Sequence, residues 1–192
     1  MSARFRGVTI KKNQPDRGFS ATGMRMDRMW APWRLSYVAA PKDPSSSEPC
    51  FICRGLADDD DRNNLLVLRT PLSVVLLNRF PYNNGHLLIS PRAHKARLDD
   101  LTPDELCETM ETLRRLVRVL DGVMRPDGYN IGLNLGAAAG AGVPGHLHWH
   151  VVPRWHGDTN FMPVLGDTKV IVQSLDALYA LLTEQLKKND ER

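Results

Sequence analysis

From about residue 49 onward, the alternation of apolar and polar positions divides the chain into short strands and two longer amphipathic helices. Leu65–Arg69 and Ser73–Asn78 are β-rich apolar runs split by Thr70-Pro71, which predicts a hairpin. Gly85–Ser90 predicts a third strand, Tyr129–Leu135 a fourth, and the stretch around Lys169–Val172 another. The strongest alternation is His146-Leu147-His148-Trp149-His150-Val151-Val152-Pro153. As a strand it would set three histidines on one face, each roughly 6.6 Å from the next. Leu147, Trp149 and Val151 would then point into a core. The chain has 6 histidines, so half of them stand in this row.

Thr102-Pro103-Asp104-Glu105 reads as a helix start, with Thr as N-cap, Pro at the first position and Glu three residues on. That helix is expected to run to about Met124, with Gly122 and Pro126 marking its end. Its apolar stripe reads as Leu106, Met110, Leu113, Val117 and Leu120. Cys107 is expected to be a small buried or semi-buried residue. A closing helix is expected over Ser174–Lys188, with Leu175, Leu178, Leu181, Leu182 and Leu186 inside and Lys187 and Lys188 near its C-terminus. Upstream, residues 1–23 carry Arg4, Arg6, Lys11, Lys12 and Arg17 against only Asp16, and are expected to be a disordered basic arm. Residues 24–48 read as a short N-terminal helix over Asp27–Ala40, followed by a Pro/Ser-rich linker. The domain proper is then 49–192.

The totals leave this picture intact. At 192 residues and 42% hydrophobic, one domain can bury a core without staples. The net charge of +3 is too small to imply a nucleic-acid partner. No apolar run approaches ~18 residues, so no membrane span is expected. Three cysteines, an odd number, suggest metal binding or free thiols in a reducing compartment, hence a cytoplasmic location.

Several stretches carry candidate chemistry. Cys50-Phe51-Ile52-Cys53 is a CxxC motif, open to a redox role, half a zinc site, or coincidence. His94, about forty residues on, is the best candidate to complete a site with it. Asp58–Asp61 reads as a solvated turn, since no spaced oxygen ligands follow it. Gly136–Gly145 has almost no side chains, and its backbone N–H groups could cradle a phosphate. It is not a P-loop, because no Gly-Lys-Ser/Thr follows. The histidine row itself leaves two chemistries open. Its members could bind a catalytic zinc, or one imidazole could be a nucleophile that its neighbours orient.

The row His146–Val152, the stretch Asn78–Pro91 (NRFPYNNGHLLISP) and the upstream CxxC resemble the histidine-triad (HIT) family. Met29–Arg34, Asn130–Asn134 and Pro153–Phe161 are similar to its bacterial branch, which contains diadenosine tetraphosphate phosphorylases. The resemblance implies an α+β fold with an antiparallel sheet of about five strands and two main helices. It also implies a homodimer whose sheets join across the interface. The implied activity is cleavage of dinucleoside polyphosphates through a covalent nucleotidyl-histidine, with an adenine-type nucleotide as partner. His148 would be the nucleophile and His150 the phosphate binder, with Asn78 and Asn134 on ribose and phosphate. A backbone carbonyl near Gly140, Ala141 and Gly142 would fix the nucleophile's tautomer, and the amides of that loop would bind phosphate. Some members carry structural zinc, on positions that map here to Cys50, Cys53, His94 and His146. Hydrolase members have a Gln just before the triad, where this chain has only Gly, Ala, Val and Pro. That departure favours inorganic phosphate over water as acceptor. The alternatives are a HIT-type nucleotide hydrolase, a zinc hydrolase using all three triad histidines, and a non-catalytic nucleotide-binding module.

Overall fold

The computed structural model describes residues 50–163 and 170–190. The expected basic arm over 1–23, the helix and linker over 24–48, residue 49 and the Lys169 end of the last expected strand lie outside them. Five strands form one sheet: β1 (Leu66–Arg69), β2 (Ser73–Leu77), β3 (Leu87–Pro91), β4 (Gly128–Leu133) and β5 (Trp149–Arg154). Their order is β1-β2-β3-β5-β4, and every neighbouring pair is antiparallel. Among the described residues three α-helices accompany the sheet: α1 (Phe51–Ala57), α2 (Pro103–Met124) and α3 (Leu175–Asp190). The architecture is the α+β sheet expected, with α1 as an addition.

The main core lies between one face of the sheet and the helices α2 and α3. Val75, Leu77, Ile89, Trp149 and Val151 meet Leu116, Val119 and Leu120 of α2 and Leu178, Leu182 and Leu186 of α3. A smaller core lies on the other face, where Ile52 of α1 packs on Leu66, Val74 and Leu76. β2 is therefore buried on both sides. This is why it reads as a continuous apolar run rather than an alternating one.

The capping box forms as expected. Thr102 Oγ1 accepts the Glu105 N–H at 3.2 Å, and the Glu105 carboxylate accepts the Thr102 N–H at 2.7 Å. Lys95 Nζ also reaches Glu105, at 2.7 Å, and holds its carboxyl below the usual range. The buried face of α2, however, runs through Glu105, Thr109, Thr112, Leu116, Val119 and Leu120. Leu106 and Met110 of the expected stripe are 36% and 42% exposed, and Cys107 is exposed as well. The reason is polar packing. Glu108 accepts hydrogen bonds from the Thr70 hydroxyl and the Leu72 N–H, and Thr112 lies 3.3 Å from the Ser73 hydroxyl. Satisfied polar groups thus turn the first half of α2 by about one position. The helix closes on Arg125 in the left-handed region (φ 47°), with Gly122 still inside it.

Two strands differ from expectation. Val170–Val172 forms no ladder. The regular part of β5 begins only at Trp149, so His146, Leu147 and His148 precede it. They continue beside β3 held by other means. The Leu147 carbonyl accepts the Ser90 hydroxyl, and the Leu147 N–H donates to the Lys95 carbonyl, both at 2.7 Å. Gly85 (φ 76°) turns the chain into β3 beneath the end of α2, where a Cβ would stand 2.8 Å from Met124 Sδ. Among the described residues, no helix is long and apolar enough to cross a membrane.

Candidate active site and metal centre

The alternation survives the late start of β5. Leu147, Trp149 and Val151 enter the main core, and the three histidines share the opposite side. The rings of His148 and His150 meet edge to face, with centroids 5.1 Å apart. His148 Nδ1 donates to the His146 carbonyl at 2.8 Å. The acceptor is therefore the strand's own backbone two residues upstream, not the loop near Gly140–Gly142. A carbonyl already lies within reach of the ring, so no loop need approach. This leaves His148 Nε2 with a lone pair.

His150 is half-buried, and burial pushes its pKa down to about 4, aided by the neighbouring His148. Its Nδ1 lies 2.9 Å from Nε2 of His86, a residue the sequence reading did not single out. His86 immediately precedes β3 and is 1% exposed. The available signal was its place beside Gly85 at the head of a strand that neighbours the triad. Tyr82 stacks on His150, with centroids 5.6 Å apart at 19°.

Asn78 directly follows β2 and opens the turn toward β3. Its Oδ1 accepts the Phe80 N–H at 3.0 Å, and its Nδ2 faces His86 at 3.2 Å. Beside it lies a cavity of about 250 Å³ whose walls include Phe51, Leu76, Phe80 and Leu88. Leu88 is the direct cross-strand partner of His150. Larger clefts of about 570 and 560 Å³ lie beside Arg114 on α2 and beside Trp155. Neither holds an expected site residue, so cavity size does not locate this chemistry. Asn134 follows β4, and its amide nitrogen stands 4.0 Å from the position a Cβ would take at Gly140. The Gly140 and Ala141 amides donate within their own loop, to Ala137 and Gly136, while Gly142 stands outside these turns.

The second cluster forms where the CxxC meets His146. Cys50 Sγ lies 3.2 Å from His146 Nδ1, Cys53 Sγ lies 3.2 Å from His94 Nδ1, and Cys53 Sγ lies 3.4 Å from His146 Nδ1. All four ligand atoms fall within 4.8 Å of one another. Tetrahedral zinc with ordinary Zn–S and Zn–N bonds would separate S and N by about 3.6 Å, so the set fits a closed site. The His146 ring is prepared for it. Its Nε2 donates to the Pro91 carbonyl at 2.9 Å, which frees Nδ1 for a metal, and burial holds its pKa down so that it stays neutral. Among the described residues the ligand cluster is Cys50, Cys53, His94 and His146; His148 and His150 are not part of it.

The model of the HIT domain matches residues 61–157. The chain is 43% identical over 165 residues to a Mycobacterium tuberculosis protein named AP-4-A phosphorylase, covering 83% of this chain and 85% of that one. It is 39% identical over 90 residues to the Schizosaccharomyces pombe bis(5'-nucleosyl)-tetraphosphatase (asymmetrical), covering 47% of this chain and 49% of that one. Its fold is similar to the crystal structure of a zinc-bound histidine triad family protein from Mycobacterium smegmatis. That match has a TM-score of 0.59 and 24% identity, and covers 74% of this chain and 96% of that one. With the domain model spanning the sheet and the triad, and a relative matching along most of its length, the chain belongs to the HIT family.

Proposed function

We propose that this protein cleaves dinucleoside polyphosphates such as diadenosine tetraphosphate by transferring a nucleotidyl group through His148 to inorganic phosphate. The observation that carries this reading is the 2.8 Å bond from His148 Nδ1 to the His146 carbonyl. It commits Nδ1 as the donor and orients the ring, so that Nε2 is the nitrogen whose lone pair serves as nucleophile. Nε2 attacks the α-phosphorus, a P–N bond forms, and the P–O bond to the β-phosphate breaks with its electron pair leaving on ATP. A phosphate oxygen then attacks the same phosphorus, the P–N bond breaks, and ADP departs. His150 and the Gly142 amide bind the phosphoryl oxygens, and Asn134 contacts the nucleotide. The base occupies the cavity between Phe51, Phe80 and Leu88. The resemblance to the mycobacterial protein named AP-4-A phosphorylase supports the substrate class. The absence of Gln from Gly136–Gly145 supports phosphate as acceptor.

In this reading Cys50, Cys53, His94 and His146 hold a structural zinc that ties α1 to the triad. The free thiols fit a reducing, cytoplasmic setting. The chain pairs as a homodimer through the open edge of β4, where Ile131 is 44% exposed.

The test is incubation with diadenosine tetraphosphate, with and without inorganic phosphate. ADP plus ATP formed only with phosphate is the expected result. AMP plus ATP without phosphate would make it a hydrolase instead. Acid-quenched protein should carry AMP, and His148→Ala should carry none and lose at least about 10³-fold in rate. Tight nucleotide binding with neither turnover nor adduct would overturn the enzyme reading in favour of a binding module.

A further inference from the structure

We infer that His86 is a positioning residue: it sets the tautomer of His150, so that His150 presents an Nε2–H donor to the transferred phosphoryl group. The inference rests on the phosphate-binding role proposed for His150.

The argument begins at a group with no choice of role. The Tyr82 backbone N–H can only donate, and it points at His86 Nδ1, 3.0 Å away. The Asn78 amide does not choose between the ring nitrogens: its Oδ1 accepts the Phe80 N–H, and its Nδ2 lies 3.2 Å from His86 Nδ1 and 3.4 Å from Nε2. Nδ1 of His86 is therefore an acceptor, and the ring carries its proton on Nε2. That Nε2–H lies 2.9 Å from His150 Nδ1 and donates to it. His150 must in turn carry its proton on Nε2. A cationic His86 would set Nδ1–H against the Tyr82 N–H, and a cationic His150 would set two N–H groups against each other.

The outcome is a chain of defined donors: Tyr82 N–H to His86, His86 to His150, and His150 Nε2–H at its end. His150 Nε2 is buried and has no hydrogen-bond partner among the described residues. It is thus a buried donor without a protein acceptor, next to the nucleophile's ring. Phosphoryl oxygens gain charge as the nucleotide is transferred, and a fixed donor there stabilises them. The opposite tautomer would present a lone pair to the same oxygens and repel them. Because the relay starts from a backbone amide, which does not titrate, the orientation is built into the Asn78–His86 turn. The Tyr82 ring covers both imidazoles, 4.6 Å from His86 and 5.6 Å from His150.

The test reads the tautomer directly. Long-range ¹H–¹⁵N spectra of the labelled full chain, assigned against His86→Gln and His150→Gln, should show His150 protonated at Nε2 and unprotonated at Nδ1. His86→Ala should lower kcat by about tenfold to a hundredfold with KM little changed. His86→Gln, which keeps an N–H donor, should recover most of that loss. A wild-type spectrum with His150 protonated at Nδ1 would overturn the inference, whether or not His86→Ala folds. So would a folded His86→Ala with wild-type kcat, or His86→Gln as impaired as His86→Ala. If the wild-type protein does not turn over diadenosine tetraphosphate, the proposed function fails separately, and the spectrum still decides the tautomer.

Discussion

The carbonyl of His146 accepts the Nδ1–H of His148 at 2.8 Å, while the His146 ring stands in the cysteine cluster with Nδ1 3.2 Å from Cys50 Sγ. One residue thus joins the proposed metal centre to the proposed nucleophile, through its ring on one side and its backbone on the other. Ligands buttressed in this way typically affect activity about tenfold to a hundredfold when disturbed. Cys50→Ser should therefore lose zinc by metal analysis. It should also slow AMP transfer to His148 in rapid-quench experiments by about tenfold, with a smaller effect on nucleotide affinity. A zinc-free protein with an unchanged adduct rate would show that the two sites are independent.

Arg69 holds the end of α1, the helix that carries Cys53 of the proposed metal centre. Its guanidinium donates to the carbonyls of Leu56, Gly55 and Asp58 and to the Asp61 carboxylate, at 2.6 to 3.0 Å. These are the last carbonyls of α1, whose 7 residues are too few to persist as an isolated helix. Arg69→Ala should cost about 2 kcal/mol in urea denaturation and weaken zinc in competition with a chelator. Arg69→Lys should rescue little, because an ammonium cannot span the same fork. Full rescue by lysine would mean that charge alone matters.

The His150 pKa, pushed down to about 4, gives stability a defined pH dependence. The unfolded imidazole titrates near 6.5, so between about 6.5 and about 4 the unfolded chain binds the extra proton. The contribution is complete above about pH 6.5 and is lost as pH falls toward about 4. Denaturation midpoints measured at pH 7 and pH 5 should differ, and His150→Gln should shrink that difference. An unchanged difference would assign the pH dependence to other groups.

The β4 edge tests the dimer. Ile131 is 44% exposed on the last strand of the sheet, and Leu106 and Met110 are exposed on α2. A charge at a pairing edge blocks strand addition. Ile131→Lys should elute as a monomer in size-exclusion chromatography with light scattering, where the wild type elutes as a dimer. A wild-type monomer would remove the dimer from the reading.

Much of the site was legible because its signals are local. The capping box at Thr102, the Thr70-Pro71 turn and the His146–His150 alternation each depend on neighbours in sequence. The α2 stripe was misplaced because Glu108 and Thr112 look like surface residues until Thr70 and Ser73 supply their partners, and Thr109 until its hydroxyl bonds the Glu105 carbonyl. His86 was missed because, within the stretch Asn78–Pro91, one histidine at the head of a strand carries no period of its own.

What the sequence determined by itself was the set of reactive groups and their side of the chain: three histidines on one face, a pair of thiols, and a loop of small residues. What only the tertiary structure decided was which nitrogen does what. His146 meets Cys50 across 96 positions, and His150 meets His86 across 64. An imidazole offers two nitrogens of nearly equal energy, and the choice between them belongs to the partner on the other one. That partner is known only once the sheet has brought distant strands together.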